Sequence, residues 1–335
     1  MSDWNFADVW ETVARLLPDA RATSHGGIHH SWAEFEARAE AQASWLSDLG
    51  LPRQARVAQY LYSCPEYLES LFACFKASLA PVNTNYRYGP DELAYLWGDA
   101  ACGAVVFHGA FTDTIAALRD SGRVDTVVGW LWVDDGSGPC PPWATDLENE
   151  VAASGARMAH RPERSGDDLW LLYTGGTTGY PKGVMWRQDD IFAVVNRTAA
   201  VRYPEDGGLD DVRRMLAGPG PVLIPGAPLM HGTGTIAAFG ALSSGGSVST
   251  LVGRSFDPIE MLDLIEMDRA KSIAIVGDAF AKPLLAALDA EPARWDISSL
   301  RIISSSGVMW SAPVKAGLLA HNPNLILVDT LGSSE

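Results

Sequence analysis

The sequence predicts an α/β fold in which helices alternate with short strands over a largely parallel sheet. Short runs made mostly of apolar residues, such as those over 272–276 and 325–328, recur between stretches of helical periodicity. Glycine, proline and serine punctuate the junctions. At 335 residues and 47% hydrophobic composition, the chain is long and apolar enough to bury a large core, with about two domains as the prior from length.

The elements follow in order. Ser31-Trp32-Ala33-Glu34 is a capping box, and it opens a helix toward Gly50 with Phe35, Ala39, Ala43 and Leu46 on one face. A strand over 57–61 comes next, then a helix opened by Pro65 that ends before Pro81. The pattern continues with a strand over 104–107, a helix over 112–119 and a strand over 124–132. Residues 134–168, rich in Gly, Pro, Asp and Glu, read as a linking region. Beyond a strand over 169–173, helices are expected over 189–202, 232–242, 258–269, 281–288 and 313–319. Strands are expected over 247–251, 272–276, 301–305 and 325–328, and 221–225 reads as a loop or short strand. No repeat of solenoid length is present. The expected division is into an α/β subdomain over 1–168 and a second over 169–335.

The run from Tyr173 to Gly183 carries four glycines, three threonines and one lysine between two apolar stretches. Glycines after a strand let backbone N–H groups approach an anion without Cβ interference, while threonine hydroxyls add donors and Lys182 adds a mobile positive charge. A flexible surface turn has the same composition, and a solvated Lys182 is the plain alternative. The spacing matches neither a Walker loop nor the G-x-G-x-x-G dinucleotide fingerprint.

Other chemistries find little support. The net charge of −16 disfavours a nucleic-acid partner. The seven histidines form no zinc-ligand spacing, and Ser304-Ser305-Ser306 lacks the G-x-S-x-G elbow of a serine hydrolase. Cysteines 64, 74, 102 and 140 are scattered singly and no secretory signal is visible, so a cytoplasmic protein is expected. Residues 219–253 carry no Asp, Glu, Lys or Arg, yet their prolines, glycines and His231 read as buried strand, turn and helix start rather than a transmembrane segment. His231 itself is either a structural imidazole or a ligand-facing one.

YTGGTTGYPKGVMW resembles the phosphate-binding signature of the adenylate-forming superfamily: acyl-CoA synthetases, peptide-synthetase adenylation domains and beetle luciferases. Val184-Met185-Trp186-Arg187-Gln188 resembles actinobacterial acyl-CoA synthetases acting on fatty acids and steroid side chains. Three further segments are similar to family motifs in the same order: Pro81–Arg87 with Glu92–Leu96, Pro228–Gly234, and Asp329–Glu335. The resemblance implies the large N-terminal domain of these enzymes, with stacked mostly parallel sheets and flanking helices layered αβαβα; the remainder of that domain and a small C-terminal domain would lie outside this sequence, so the 335-residue chain by itself is expected to be inactive.

It also implies the roles. Thr174, Gly175, Gly176, Thr177, Thr178, Gly179 and Lys182 would hold the ATP phosphates; Ser306, Gly307, Asp329, Thr330, Leu331, Gly332 and Ser334 would border the nucleotide. His231, Gly232, Gly234, Gly307, Val308 and Met309 would face the carboxylic acid, and Thr178 and Glu335 would bind Mg²⁺. Thr174, Lys182, His231 and Glu335 would act directly in acyl-adenylate formation, after which coenzyme A accepts the acyl group. Leu331 stands where the family places an aromatic ring beside adenine, and Ser334 where it places threonine. A carrier protein as acceptor, or a noncatalytic nucleotide-binding or assembly role, are the alternatives. Monomer and homodimer both stay open.

Overall fold

The computed structural model describes residues 3–153, 157–175 and 179–330. Asn5 accepts from the Ala7 amide and opens α1 (Phe6–Leu16), which leads into a hairpin of β1 (Arg21–His25) and β2 (Ile28–Ser31). The turn between them runs through Gly26 and Gly27, both at positive φ. The capping box at Ser31 forms: the Glu34 amide donates to Ser31 Oγ at 3.2 Å, and the Ser31 amide donates to the Glu34 carboxylate at 2.7 Å. It starts α2 (Trp32–Asp48), followed by β3 (Arg56–Tyr60), α3 (Pro65–Lys76), β4 (Ala80–Asn83) and α4 (Pro90–Asp99). Next come β5 (Cys102–His108), α5 (Thr112–Asp120), β6 (Gly129–Val133), β7 (Thr145–Asp146), α6 (Leu147–Ala152), β8 (Leu169–Thr174) and β9 (Lys182–Arg187). The remainder is α7 (Gln188–Asn196), α8 (Leu209–Met215), β10 (Val222–Pro225), α9 (Gly232–Ser243), β11 (Ser247–Thr250) and α10 (Pro258–Asp268). It closes with β12 (Ser272–Ile275), α11 (Gly277–Ala290), β13 (Ile302–Ser306), α12 (Ala312–His321) and β14 (Ile326–Thr330).

Two seven-stranded sheets result, in the orders β7-β6-β5-β3-β4-β8-β9 and β14-β13-β12-β10-β11-β1-β2. Each is parallel except for its last strand, the antiparallel partner in a hairpin. The two orders are the same plan used twice, with β3 to β7 matched by β10 to β14 and the β8–β9 hairpin matched by β1–β2. The sheets therefore do not divide at residue 168: β1 and β2 complete the sheet of the later strands, and β8 and β9 complete the sheet of the earlier ones.

Period-two burial explains the layering. On β8, Trp170 and Leu172 enter the core between the sheets, where α1, α2, α3, α7 and α9 lie, while Leu171 and Tyr173 face α4 and α5 on the outside. The second sheet does the same: Leu223, Val248 and Ala274 point to the middle layer, and Ile224, Ile273 and Ile303 pack under α10, α11 and α12. Helix, sheet, helix, sheet and helix stack in that order, as the αβαβα expectation requires.

Several boundaries differ from the sequence reading. The helix expected over 189–202 stops at Asn196, whose carboxamide accepts from the Tyr203 amide at 2.8 Å and donates to its carbonyl at 2.7 Å, pulling the chain back on itself. The strand expected from 124 begins only at Gly129, because Val124 to Val127 form a turn closed by a 3.0 Å backbone bond. The linking region contains β7 and α6, the latter capped by Asp146 on the Glu148 amide at 2.9 Å. No helix among the described residues is long and apolar enough to cross a membrane.

The middle layer is pinned by one buried ammonium. Lys76, at the end of α3, is 0% exposed, and its Nζ lies 2.8 Å from Glu11 on α1, and 2.7 Å from Glu36 and 3.0 Å from Glu40 on α2. Burial alone would raise the Glu11 pKa, but Lys76 and Arg164 outweigh it and bring the group down from 4.5 to about 2. A depressed carboxyl contributes stability above its unfolded pKa, and that contribution is lost as pH falls from about 4.5 to about 2. Lys76→Met, which leaves buried carboxylates facing one another, is expected to cost about 3–5 kcal/mol in urea unfolding at pH 7. The same substitution should make the fall in stability across that acid window shallower. An unchanged urea midpoint would show that the ammonium is dispensable.

Candidate active site

The site residues collect where strands end, because in open parallel sheets the carboxyl ends are where loops diverge and leave crevices. Strand β8 delivers Thr174 at its end, and β9 returns antiparallel with Thr174 and Lys182 as direct cross-strand partners. The Gly/Thr-rich segment is thus a hairpin loop, which the sequence reading did not specify. Gly175 and Gly179 are exposed on it, whereas Gly176, Thr177 and Thr178 lie outside the described residues. Lys182 is exposed and makes no ion pair among the described residues. The loop is braced from outside by Tyr180, whose ring stacks on Tyr95 of α4 at 4.3 Å. Gly183 serves packing: a Cβ there would sit 2.5 Å from the Tyr173 ring, whose hydroxyl donates to Asp99 at 2.7 Å.

Asn83, at the end of β4, ties this hairpin to the second sheet. The backbone pairing of β4 with β8 is confined to Val82 and Leu171, and the Asn83 carboxamide continues it in place of a peptide group. Its Oδ1 accepts from the Tyr173 amide at 2.6 Å, and its Nδ2 donates to the Tyr173 carbonyl at 2.9 Å and to the Met230 carbonyl at 2.7 Å. Thr174 is therefore held one residue from the joint and His231 one residue from it on the other side.

His231 is the N-cap of α9, with no side-chain cap on the helix, so the α9 amino end presents free amides and the positive end of its dipole. Gly232 is close-packed on β8, since a Cβ there would lie 3.0 Å from Leu172. Gly234 is demanded by backbone: a Cβ would meet the Ala227 and Pro228 carbonyl oxygens at 2.6 and 2.7 Å. The imidazole has exposed surface yet a lowered pKa, with burial the first cause and the Arg87 charge the second. Both hold for a side chain on a cleft wall, open on one side and crowded by protein on the others, and the neutral imidazole dominates at pH 7.

The third wall comes from β13 and β14. Thr233 Oγ1 lies 2.5 Å from Ser306 Oγ, so the first turn of α9 touches the end of β13. Ser306 pairs with Thr330 and Ser305 with Asp329 across the sheet, and Lys315 forms an ion pair with the Asp329 carboxylate. Gly307 has φ +90° and turns the chain into Val308 and Met309, the latter 78% exposed. Asp278 shapes this segment: its amide donates to the Met309 carbonyl at 3.1 Å and its Oδ1 accepts from the Ser311 amide at 2.9 Å.

Contacts thus run from Tyr173, next to Thr174, through Asn83 to Met230, next to His231, and from Thr233 through Ser306 to Thr330. Leu331, Gly332, Ser334 and Glu335 lie outside the described residues. The sequence reading assigned no role to Asn83, although a polar residue closing the apolar run Ala80-Pro81-Val82 was its visible signal. What the described groups can do chemically is bind: an exposed cation, a helix amino end and hydroxyls suit an anion, and the exposed apolar Val308 and Met309 suit a hydrophobic group.

The AMP-binding enzyme family matches residues 10–335. The chain is 33% identical over 348 residues to the medium-chain acyl-CoA ligase Mig of Mycobacterium avium, covering 98% of this chain and 62% of that protein. It is 32% identical over 341 residues to a 3-oxocholest-4-en-26-oate–CoA ligase of Rhodococcus rhodochrous, covering 99% and 60%. The chain therefore spans about 60% of the length of the curated relatives it matches. Among solved structures, the N-terminal domain of FACL13 from Mycobacterium tuberculosis superposes with a TM-score of 0.78 at 19% identity, over 99% of this chain and 76% of that one. A long-chain-fatty-acid-CoA ligase from Archaeoglobus fulgidus superposes with a TM-score of 0.81 at 16% identity, over 99% and 64%. These two likenesses show the fold, the large αβαβα domain.

Two outcomes are expected from this geometry. Gly234→Ala should lower stability by about 1–3 kcal/mol in urea unfolding, because the new methyl group meets backbone that cannot yield. By NMR, the His231 imidazole should titrate below 6.5, and Arg87→Gln should move its midpoint upward, since removing a neighbouring positive charge favours the imidazolium. A midpoint at or above 6.5 in the unsubstituted protein would refute the cleft-wall reading.

Proposed function

The chain belongs to the AMP-binding enzyme family, and from that premise we propose that it activates a carboxylic acid with ATP and passes the acyl group to coenzyme A. The observation that carries this reading is the joint at Asn83, whose carboxamide holds both Tyr173, next to Thr174 on the glycine-rich hairpin, and Met230, next to His231 at the amino end of α9. A carboxylate oxygen attacks the ATP α-phosphorus, the bond to the bridging oxygen breaks, and pyrophosphate leaves. The coenzyme A thiolate then adds to the acyl carbon and AMP departs. The first step consumes no proton, so it needs alignment and charge neutralisation rather than a general base.

The chain's own groups fit those needs. Thr174, Gly175 and Gly179 with Lys182 would cradle the triphosphate, and Gly176, Thr177 and Thr178 would complete the loop. His231, neutral and on the cleft wall, would orient the acid without adding a competing cation, beside Gly232 and Gly234. Ser306, Gly307, Asp329 and Thr330 would border the nucleotide, with Leu331, Gly332 and Ser334 beyond them. Thr178 and Glu335 offer a hydroxyl and a carboxylate, hard oxygen donors of the kind Mg²⁺ takes when it accompanies phosphates. The apolar Val308 and Met309, together with relatives named as medium-chain and steroid-acid CoA ligases, favour a medium-chain, long-chain or steroid-side-chain acid. The four unpaired cysteines favour a cytoplasmic setting.

ATP–pyrophosphate exchange over a panel of fatty, aromatic and steroid-side-chain acids, run on the full-length product of its gene as well as on this chain, tests the reading. Exchange should depend on the acid and fall by about 100-fold in Lys182→Ala. Retained ATP binding with no exchange for any acid would instead favour a noncatalytic nucleotide-binding protein. Exchange without a coenzyme A thioester would point to a carrier-protein acceptor.

A further inference from the structure

Two of the four residues before α9, Leu229 and Met230, are held from outside their own segment. The Leu229 amide donates to Ser63 Oγ at 3.0 Å, and the Met230 carbonyl accepts from Asn83 Nδ2 at 2.7 Å. Within the segment, the Leu229 carbonyl accepts from Thr235 Oγ1 and the His231 amide donates to the Pro228 carbonyl at 2.9 Å. Local bonds therefore fix the loop only to its own helix, while Ser63 and Asn83 fix it to the first sheet. Ser63 follows β3 and Asn83 ends β4, two adjacent parallel strands.

The Ser63 loop is itself anchored. The Tyr62 amide donates to His108 Nδ1 at 3.0 Å, and the Tyr62 ring lies against Tyr86 at 4.9 Å and Phe111 at 5.1 Å. Beneath the pair, Leu229 and Met230 are buried, so their side chains also resist rotation of the peptides that the two residues grip.

We propose that Ser63 and Asn83 are positioning residues for His231, fixing the two peptide groups before it and so setting where its imidazole stands relative to Thr174 and the hairpin loop. The placement stands on this geometry alone; its consequence for the acid rests on the acid-activation reading. Neither side chain needs to touch a substrate. Each acts through Leu229 or Met230, and the pair makes the position of a second-sheet residue a property of the first sheet.

The test compares Ser63→Ala, Ser63→Thr, Asn83→Asp and Asn322→Ala in the histidine-labelled protein. Asn83→Asp keeps the shape but loses both donors, and Ser63→Thr keeps the hydroxyl. Asn322→Ala removes a buried carboxamide that donates to the Ile297 and Leu300 carbonyls in the outer layer of the second sheet, and serves as the control for lost stability. The His231 ring signal should shift or split in Ser63→Ala and Asn83→Asp, return in Ser63→Thr and stay in place in Asn322→Ala. In the exchange assay, KM for the acid should rise about tenfold in the first two variants with KM for ATP within about twofold. An unmoved His231 signal in both folded variants would overturn the proposal. A moved signal with an unchanged acid KM would support the positioning and instead refute an acid-orienting role for His231.

Discussion

The carboxamide of Asn83 ties the β8 hairpin to the segment before α9, across two sheets that are separated by a layer of helices. It works because asparagine alone among residues of its size offers two donors and an acceptor in one plane, matching the amide and carbonyl of Tyr173 and still reaching Met230. The β8 hairpin and the start of α9 belong to different sheets, so their relative position is set by tertiary contact and not by sheet register. Three backbone groups at a buried junction would otherwise lack partners, each at a cost of about 1–3 kcal/mol. The placement of the β8 hairpin relative to the start of α9 rests in part on that joint.

The two lysines of interest show how the chain divides its charge. Lys76 lies inside, surrounded by carboxylates from two other helices, and its attractions are spent on holding the middle layer. Lys182 stands at the start of β9, exposed and without an ion pair among the described residues. An exposed ammonium has lost little hydration and can move, which suits an anion that must arrive and leave. The acid-rich composition does not contradict an anion-binding opening, because potential depends on local arrangement rather than on net charge.

Local signals made much of this legible. The capping box at Ser31, the apolar run over 169–173 and the glycine-flanked start of α9 each encode their element in a few neighbouring residues, and each forms. What escaped were two helices of ten or eleven residues, α1 and α4, for which no element was read, the strand β4, and elements too short or too dependent on partners to show a period: the β1–β2 hairpin, β7, α6, α8 and the return strand β9. Sheet membership escaped as well, because nothing near residue 21 announces pairing with residues near 250. At the site, residue type exposed Thr174, Lys182 and His231 as candidates, whereas Ser63 and Asn83 gain meaning only from backbone groups far along the chain. An ordinary serine and an ordinary asparagine carry no mark of the peptide they will hold.

The twice-used strand plan sets an order of events during synthesis. All strands of the first sheet have left the ribosome once residue 187 is out, so that sheet can close early. Strand β1 instead pairs with β11, with Thr23 opposite Val248, 225 residues later. At about 5–20 residues per second, the N-terminal hairpin waits roughly 10–45 s for its neighbour. Through that interval its edge is open to other nascent chains, which makes this early hairpin a place where a chaperone's cover would count.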